Sequence, residues 1–143
     1  MTYTQAKAEL AINDYLETNF TALHLAFPNI PYRPSETEAY VRVTHRPGQK
    51  RQASLGTDGL NRISGVLFLY VSYPVGVTTG SYDPNLSAEY LVALFEHGAH
   101  ITKDGVTVIT ERSQRTGVLE GDTRYTPVVE VGWYAYVQKD TVS

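Results

Sequence analysis

Two histidines three residues apart, His97 and His100, are the first place to look for chemistry, because paired imidazoles at such a spacing can share a metal ion. Gly98 stands between them and breaks any helix there, and no third ligand lies nearby in sequence, so the pair does not make a metal site. A cation at His97, in the last turn of a helix, has a simpler role in complementing the helix dipole. No serine occupies a Gly-x-Ser-x-Gly turn. Gly56-Thr57-Asp58-Gly59 is a turn that no G-x-x-x-x-G-K-[ST] pattern follows, so it does not cradle phosphate. Asp104-Gly105 reads as a hairpin turn and not as part of a calcium loop. Glu36 and Glu38 lie beside a proline-rich connector and keep it soluble. These residues imply no catalytic centre, cofactor or metal ion, and the expectation is a protein that is not an enzyme.

What remains is charge arranged for contact. Residues 45–61 contain His45, Arg46, Lys50 and Arg51, with Arg62 just beyond, and only Asp58 opposes them. A basic stretch of this kind meets either nucleic acid or acids on a neighbouring protein. The net charge of −3 and the lack of interleaved aromatics to stack bases favour the protein. A second polar stretch, 111–124, mixes Glu111, Arg112, Arg115, Glu120, Asp122 and Arg124. It is either a contact surface or a solvated face. The candidate assembly-interface residues are therefore Arg46, Lys50, Arg51, Arg62, Arg112, Arg115 and Arg124. A solvated hairpin arm is the alternative for 45–61.

The elements that must position these residues follow from pattern. Arg62–Tyr73 alternates Ile63, Gly65, Leu67, Leu69, Val71 and Tyr73 with Ser64, Val66, Phe68, Tyr70 and Ser72. Apolar residues on both faces suit a strand buried between two layers, and predict the central strand of one sheet with helices covering at least one side. Residues 2–18 form a predicted helix that opens on a Thr2-Tyr3-Thr4-Gln5 capping box and buries Ala8, Ile12, Tyr15, Leu16 and Phe20. Phe27–Pro34 holds three prolines and is a rigid extended connector. Tyr40–Thr44 is a strand with Val41 and Val43 inward. Residues 45–61 lack periodicity and read as a long loop, and Pro74–Gly80 as a shorter one. Asp83-Pro84 starts a second helix whose apolar face is Leu86, Tyr90, Leu91, Leu94 and Phe95, and Gly98 ends it. Ala99–Thr102 and Val106–Thr110 make a hairpin about Asp104-Gly105. Residues 111–124 read as a polar loop, and Tyr125–Val137 as a long strand with Val129, Val131, Trp133, Ala135 and Val137 on one face. The fold class is α+β: one mixed, mostly antiparallel sheet with two helices packed on it.

At 143 residues the chain is one domain, 1–143, and 42% apolar with 19% charged content is ordinary for a globular fold. Eleven tyrosines against four phenylalanines suit half-buried sheet contacts and interfaces. There is no cysteine, so no disulfide and no thiolate metal site. MTYTQAKAEL has neither the basic start nor the apolar core of a signal peptide. No apolar run approaches the ~18 residues of a membrane span, so the expectation is a soluble protein made in the cytoplasm.

The order of motifs resembles a known family. A helix is followed by Phe27-Pro28-Asn29-Ile30-Pro31-Tyr32-Arg33-Pro34, then Tyr40-Val41-Arg42-Val43, a glycine-rich loop, and Arg62 and Gly65 leading the apolar strand. Ala93-Leu94-Phe95, Gly105-Val106-Thr107-Val108 and Trp133-Tyr134 come later. Across nearly the whole chain this is similar to the tail terminator, or tail completion, proteins of long-tailed bacteriophages. The proline connector is the most specific part. The resemblance implies a structural virion protein of the tail–neck region, made in the host cytoplasm. It further implies a ring, hexameric in this family, that caps the tail tube, ends polymerisation and joins the tail to the head–tail connector. Its partners would be the tail tube protein, the connector protein and further copies of itself, with DNA only passing through the lumen and no membrane. Another neck or minor tail protein, or a small ligand-binding domain, are the alternatives.

Overall fold

The structure is a computed structural model that describes residues 4–52, 60–76, 82–96 and 98–138. Its axis is β4, Leu60–Pro74, the apolar strand expected from the sequence. Strands β2 (Tyr40–Pro47) and β7 (Arg124–Gln138) flank it, both antiparallel. Strands β1 (His24–Ala26), β3 (Arg51–Gln52), β5 (His100–Lys103) and β6 (Val106–Glu120) complete a seven-stranded sheet. The order is β1-β2-β4-β7-β6-β5, with β3 paired to the end of β4. Among the described residues only β1 and β2 run parallel. With helices α1 (Thr4–Asn19) and α2 (Tyr82–Leu94), this is the α+β architecture predicted.

Period two decides which side chains enter the core. On β4, Ile63, Leu67, Leu69 and Val71 are buried, and on β7 so are Val129, Val131, Trp133, Ala135 and Val137. Val41, Val43, Val106 and Val108 extend the same face. Helix α1 lays Ala8, Ala11, Ile12 and Leu16 on it, and Phe20 follows just past its end. Asn13 of α1 reaches His45 on β2, 2.7 Å away, while Asp14 pairs with Lys103 on β5. One helix therefore touches strands near both edges, which requires the sheet to curl around it. Helix α2 is tied alongside by Tyr15, whose hydroxyl donates to the Leu94 carbonyl at 3.0 Å and whose ring packs on Phe95.

Four expectations are corrected. Residues 111–124 are not a loop, because β6 continues to Glu120 and pairs with β7 down to Glu120–Tyr125. Bulges between Thr110 and Arg112 and between Arg115 and Gly117 shift the alternation and hide the strand from a period-two reading. Of 45–61, residues 45–47 belong to β2, Arg51 and Gln52 to β3 and Leu60 and Asn61 to β4, while 53–59 lie outside the described residues. The expected face of α2 holds at Leu91 and Phe95 but not elsewhere: Ala88 is buried with them, whereas Leu86 and Tyr90 are about half exposed. Lastly, both helices cover the same face of the sheet. The other face of β4, with Val66, Phe68 and Tyr70, is only half-buried and has no second layer among the described residues. The capping-box residues Thr2 and Tyr3, and His97, lie outside the described residues.

The Asp-Gly hairpin forms as expected. Asp104 (φ 51°) and Gly105 (φ 80°) are both left-handed, the type I′ geometry that matches strand twist, and Lys103 pairs with Val106. The connector has no regular structure, yet it is pinned. The Tyr32 ring stacks on His24 at 4.0 Å and meets Tyr40 edge-on at 5.5 Å.

Candidate assembly surfaces

The uncovered face is the largest feature that the sequence reading missed. Period two sends Val66, Phe68 and Tyr70 of β4 and Tyr134 and Tyr136 of β7 to the convex side of the sheet. Phe68 and Tyr70 stack with centroids 6.4 Å apart, Tyr134 and Tyr136 meet at 5.8 Å and 78°, and Tyr136 is 54% exposed. The Arg62 guanidinium sits 4.6 Å above the Tyr134 ring and 3.7 Å from Glu111, closing one end of the patch. Aromatic bodies with polar tips beside an arginine have the composition of an interface core. The signal lies in the excess of tyrosine and in the two-sided apolar character of β4, where hydrophobic residues do not imply burial.

The basic candidates do not form one patch. Arg46 is exposed on β2, and Lys50 and Arg51 are exposed on the adjoining segment. Arg51 pairs with Arg62 across β3 and β4, so Arg62 joins this group to the convex face. Arg112 lies across Gly132, where a Cβ would come within 2.7 Å of its Nη1, and from there it reaches Glu130 at 3.4 Å. Arg115 turns to the helical side and pairs with Glu89 of α2 at 3.8 Å. Arg124 has another task. It donates to the carbonyls of Ser35 (2.8 Å) and Glu38 and lies 5.2 Å over the Tyr40 ring, clasping the proline connector to β7. Arg124 is thus engaged with its own chain. The exposed pairs of Arg112 and Arg115 contribute little to stability, on the order of 0–1 kcal/mol each, and are available for exchange with a partner's acids.

Two further surfaces complete the inventory. Leu86 and Tyr90 on the outer side of α2 border a shallow groove with Phe20 and Ala22. A larger groove of about 590 Å³ runs between α1, the connector and the rim of β2, lined by Glu9, Phe27, Ile30, Arg42, Thr44 and His45. In it, His45 Nε2 bonds to Asn13 Oδ1, while its buried Nδ1 has no partner. Burial pushes the His45 pKa below its ordinary value, against the opposing pull of Glu9. The unfolded chain then binds this proton more readily than the folded one, so stability is lost as pH falls below about 6.5. Thermal midpoints of the wild type are expected to decline from pH 7.5 to 5.5 more steeply than those of His45→Gln. Parallel slopes would show that His45 does not carry the effect. Among the described residues no cluster of histidine and acidic side chains is placed to hold a metal ion, and no helix is long and apolar enough to cross a membrane.

A family model described as phage tail terminator protein matches residues 7–133. The chain belongs to the phage tail terminator family. Its role is accordingly structural, in a phage tail, and it is a component of the virion. A phage structural protein family accords with the expectation of a protein that is not an enzyme. The terminator chain also matches a solved structure with a TM-score of 0.70 and 21% identity, covering 99% of this chain and 100% of the other. That likeness shows a shared fold. No curated protein matches the terminator chain.

Proposed function

We propose that this protein closes into a ring on the end of a phage tail tube, stops tube polymerisation and joins the tail to the head–tail connector. The observation that carries the reading is a terminator-family sequence folded into a sheet whose convex, aromatic face has no cover among the described residues. A sheet whose helices, among the described residues, lie on one side, with a half-exposed aromatic face on the other, is shaped to be completed by neighbours. Its surfaces are unlike one another, so copies meet through different patches, and such contacts close into rings when the rotation allows. Six copies is the number that the family resemblance implies. The tail tube protein and the connector protein are the partners, and DNA passes through the lumen without specific contact.

The mass of the purified protein across concentration and salt, with and without tail tubes, tests this. A hexamer-sized species, or tubes that stop growing when the protein is added, is the expected result. Tubes that lengthen unchanged in its presence, with no bound protein at their ends, would favour another neck or minor tail component. Reversing Arg46, Lys50 and Arg51 together to glutamate is expected to leave circular dichroism unchanged, since all three are exposed. Ring mass or tube capping is expected to be lost. Normal tails assembled from the triple variant would remove the basic arm from the interface.

A further inference from the structure

The sheet has two open edges, and the strand registers put them level with each other. β1 covers β2 only at Tyr40–Arg42, so Val43–Pro47 have no strand on their outer side among the described residues. β5 covers β6 only at Val106–Ile109, so Arg112–Glu120 have none on theirs among the described residues. Partners can be followed across the sheet from one edge to the other. Val43 is level with Arg115 through Leu69 and Val129, and Thr44 with Gln114 through Phe68 and Glu130. Arg46 is level with Arg112 through Val66 and Gly132. Direction reverses at each pairing from β2 to β4, β7 and β6, so the two edge strands run opposite ways. Copies related by rotation about an axis along the strands therefore bring the β6 edge of one against the β2 edge of the next, antiparallel and at matching height.

We propose that Val43–Arg46 of β2 and Arg112–Arg115 of β6 in a second copy pair as neighbouring antiparallel strands, joining the subunit sheets head to tail. This rests on the ring reading above and names the contact that closes it. This register sets Arg46 level with Arg112, a like-charged pair that Glu130, 3.4 Å from Arg112, partly offsets. Residues 42–52 carry Arg42, Arg46, Lys50 and Arg51 and no acid. On the β6 side, Glu130 and Glu89 hold Arg112 and Arg115 within their own chain. The groove beside Arg42–His45 leaves room at the rim of β2. Both edges also carry the devices that restrain open strands in a lone chain. These are the two bulges in β6 and the missing N–H of Pro47, which ends the β2 ladder. Association is then weak until copies are held together, as on a tube end.

Cross-linking tests the register directly, because the chain has no cysteine of its own. Thr44→Cys and Gln114→Cys sit three strands apart within one chain, about 14 Å, too far for a disulfide. Between copies the proposed pairing sets them side by side. Oxidation of the double variant, alone at high concentration and on purified tail tubes, is expected to give covalent multimers of two, three and more chains. Each single variant is expected to give nothing beyond two. Arg46→Cys with Arg112→Cys, also level, serves as a second pair should the first disturb folding. Ring-sized mass without cross-linking of either pair would overturn the edge contact and leave the ring standing. Covalent dimers that never extend would mean a closed two-fold pair and overturn both, as would a monomer that neither cross-links nor caps tubes.

Discussion

Replacing Trp133 with alanine is expected to cost about 3–5 kcal/mol of unfolding free energy. The side chain is 1% exposed and sits in β7 between Gly65 of β4 and Thr110 of β6, at the centre of the face that the helices cover. The neighbours are strands held on both sides, so they cannot collapse into the space. The residual cavity adds to the lost transfer free energy. Against the 5–15 kcal/mol typical of whole domains, this brings the fold close to its limit. Urea unfolding should show a midpoint lowered by roughly 1–5 M for a slope of about 1–3 kcal/mol/M. Trp133→Phe is expected to lose much less. The indole Nε1 is buried without a hydrogen-bond partner, and phenylalanine leaves no such group behind. Equal losses for Ala and Phe would show that ring volume is not what the site requires.

The second large effect comes from the other side of the same contact. A Cβ built at Gly65 would lie 2.6 Å from Cζ2 of Trp133, 2.8 Å from Cε2 and 2.9 Å from Nε1. The obstacle is a rigid, buried ring and not the end of a flexible chain, so Gly65→Ala is expected to cost about 1–3 kcal/mol by overpacking. The usual gain of alanine over glycine in a strand is outweighed here. The cost should shrink when Trp133 is phenylalanine, giving a coupling of 0.5–3 kcal/mol in a double-mutant cycle. Strict additivity would mean that the ring and the glycine do not in fact compete for the same space.

The sequence was legible where side chains alternate against one buried face. Ile63, Leu67, Leu69 and Val71, and Val129 through Val137, read directly as strands because the helices cover that face. The Asp104-Gly105 turn was equally plain. Arg112–Glu120 was not, since this half of β6 is largely exposed on both faces and interrupted by bulges, so neither hydrophobicity nor period marks it. β1 is too short, at three residues, to leave a pattern. Leu86 and Tyr90 are apolar in type but face outward, while the small Ala88 does the packing. The convex aromatic face is likewise apolar in type without being fully buried. As for the charged candidates, composition marked them but could not assign tasks. Arg124 clasps the connector through Ser35 and Glu38, a contact across more than eighty residues of sequence that no local pattern encodes.

β4 and β7 each run fifteen residues, about 50 Å, and stay paired over nearly that whole length. Their hydrogen bonds lie across the strand direction. A pull applied along the strands from opposite ends of the molecule loads this ladder in parallel, so all its bonds must slip together. A pull across the strands would instead open them one after another. The domain is therefore stiffest along the long axis of its sheet, and tension entering at Leu60 would reach Pro74 through backbone and ladder alone, without straining the helices.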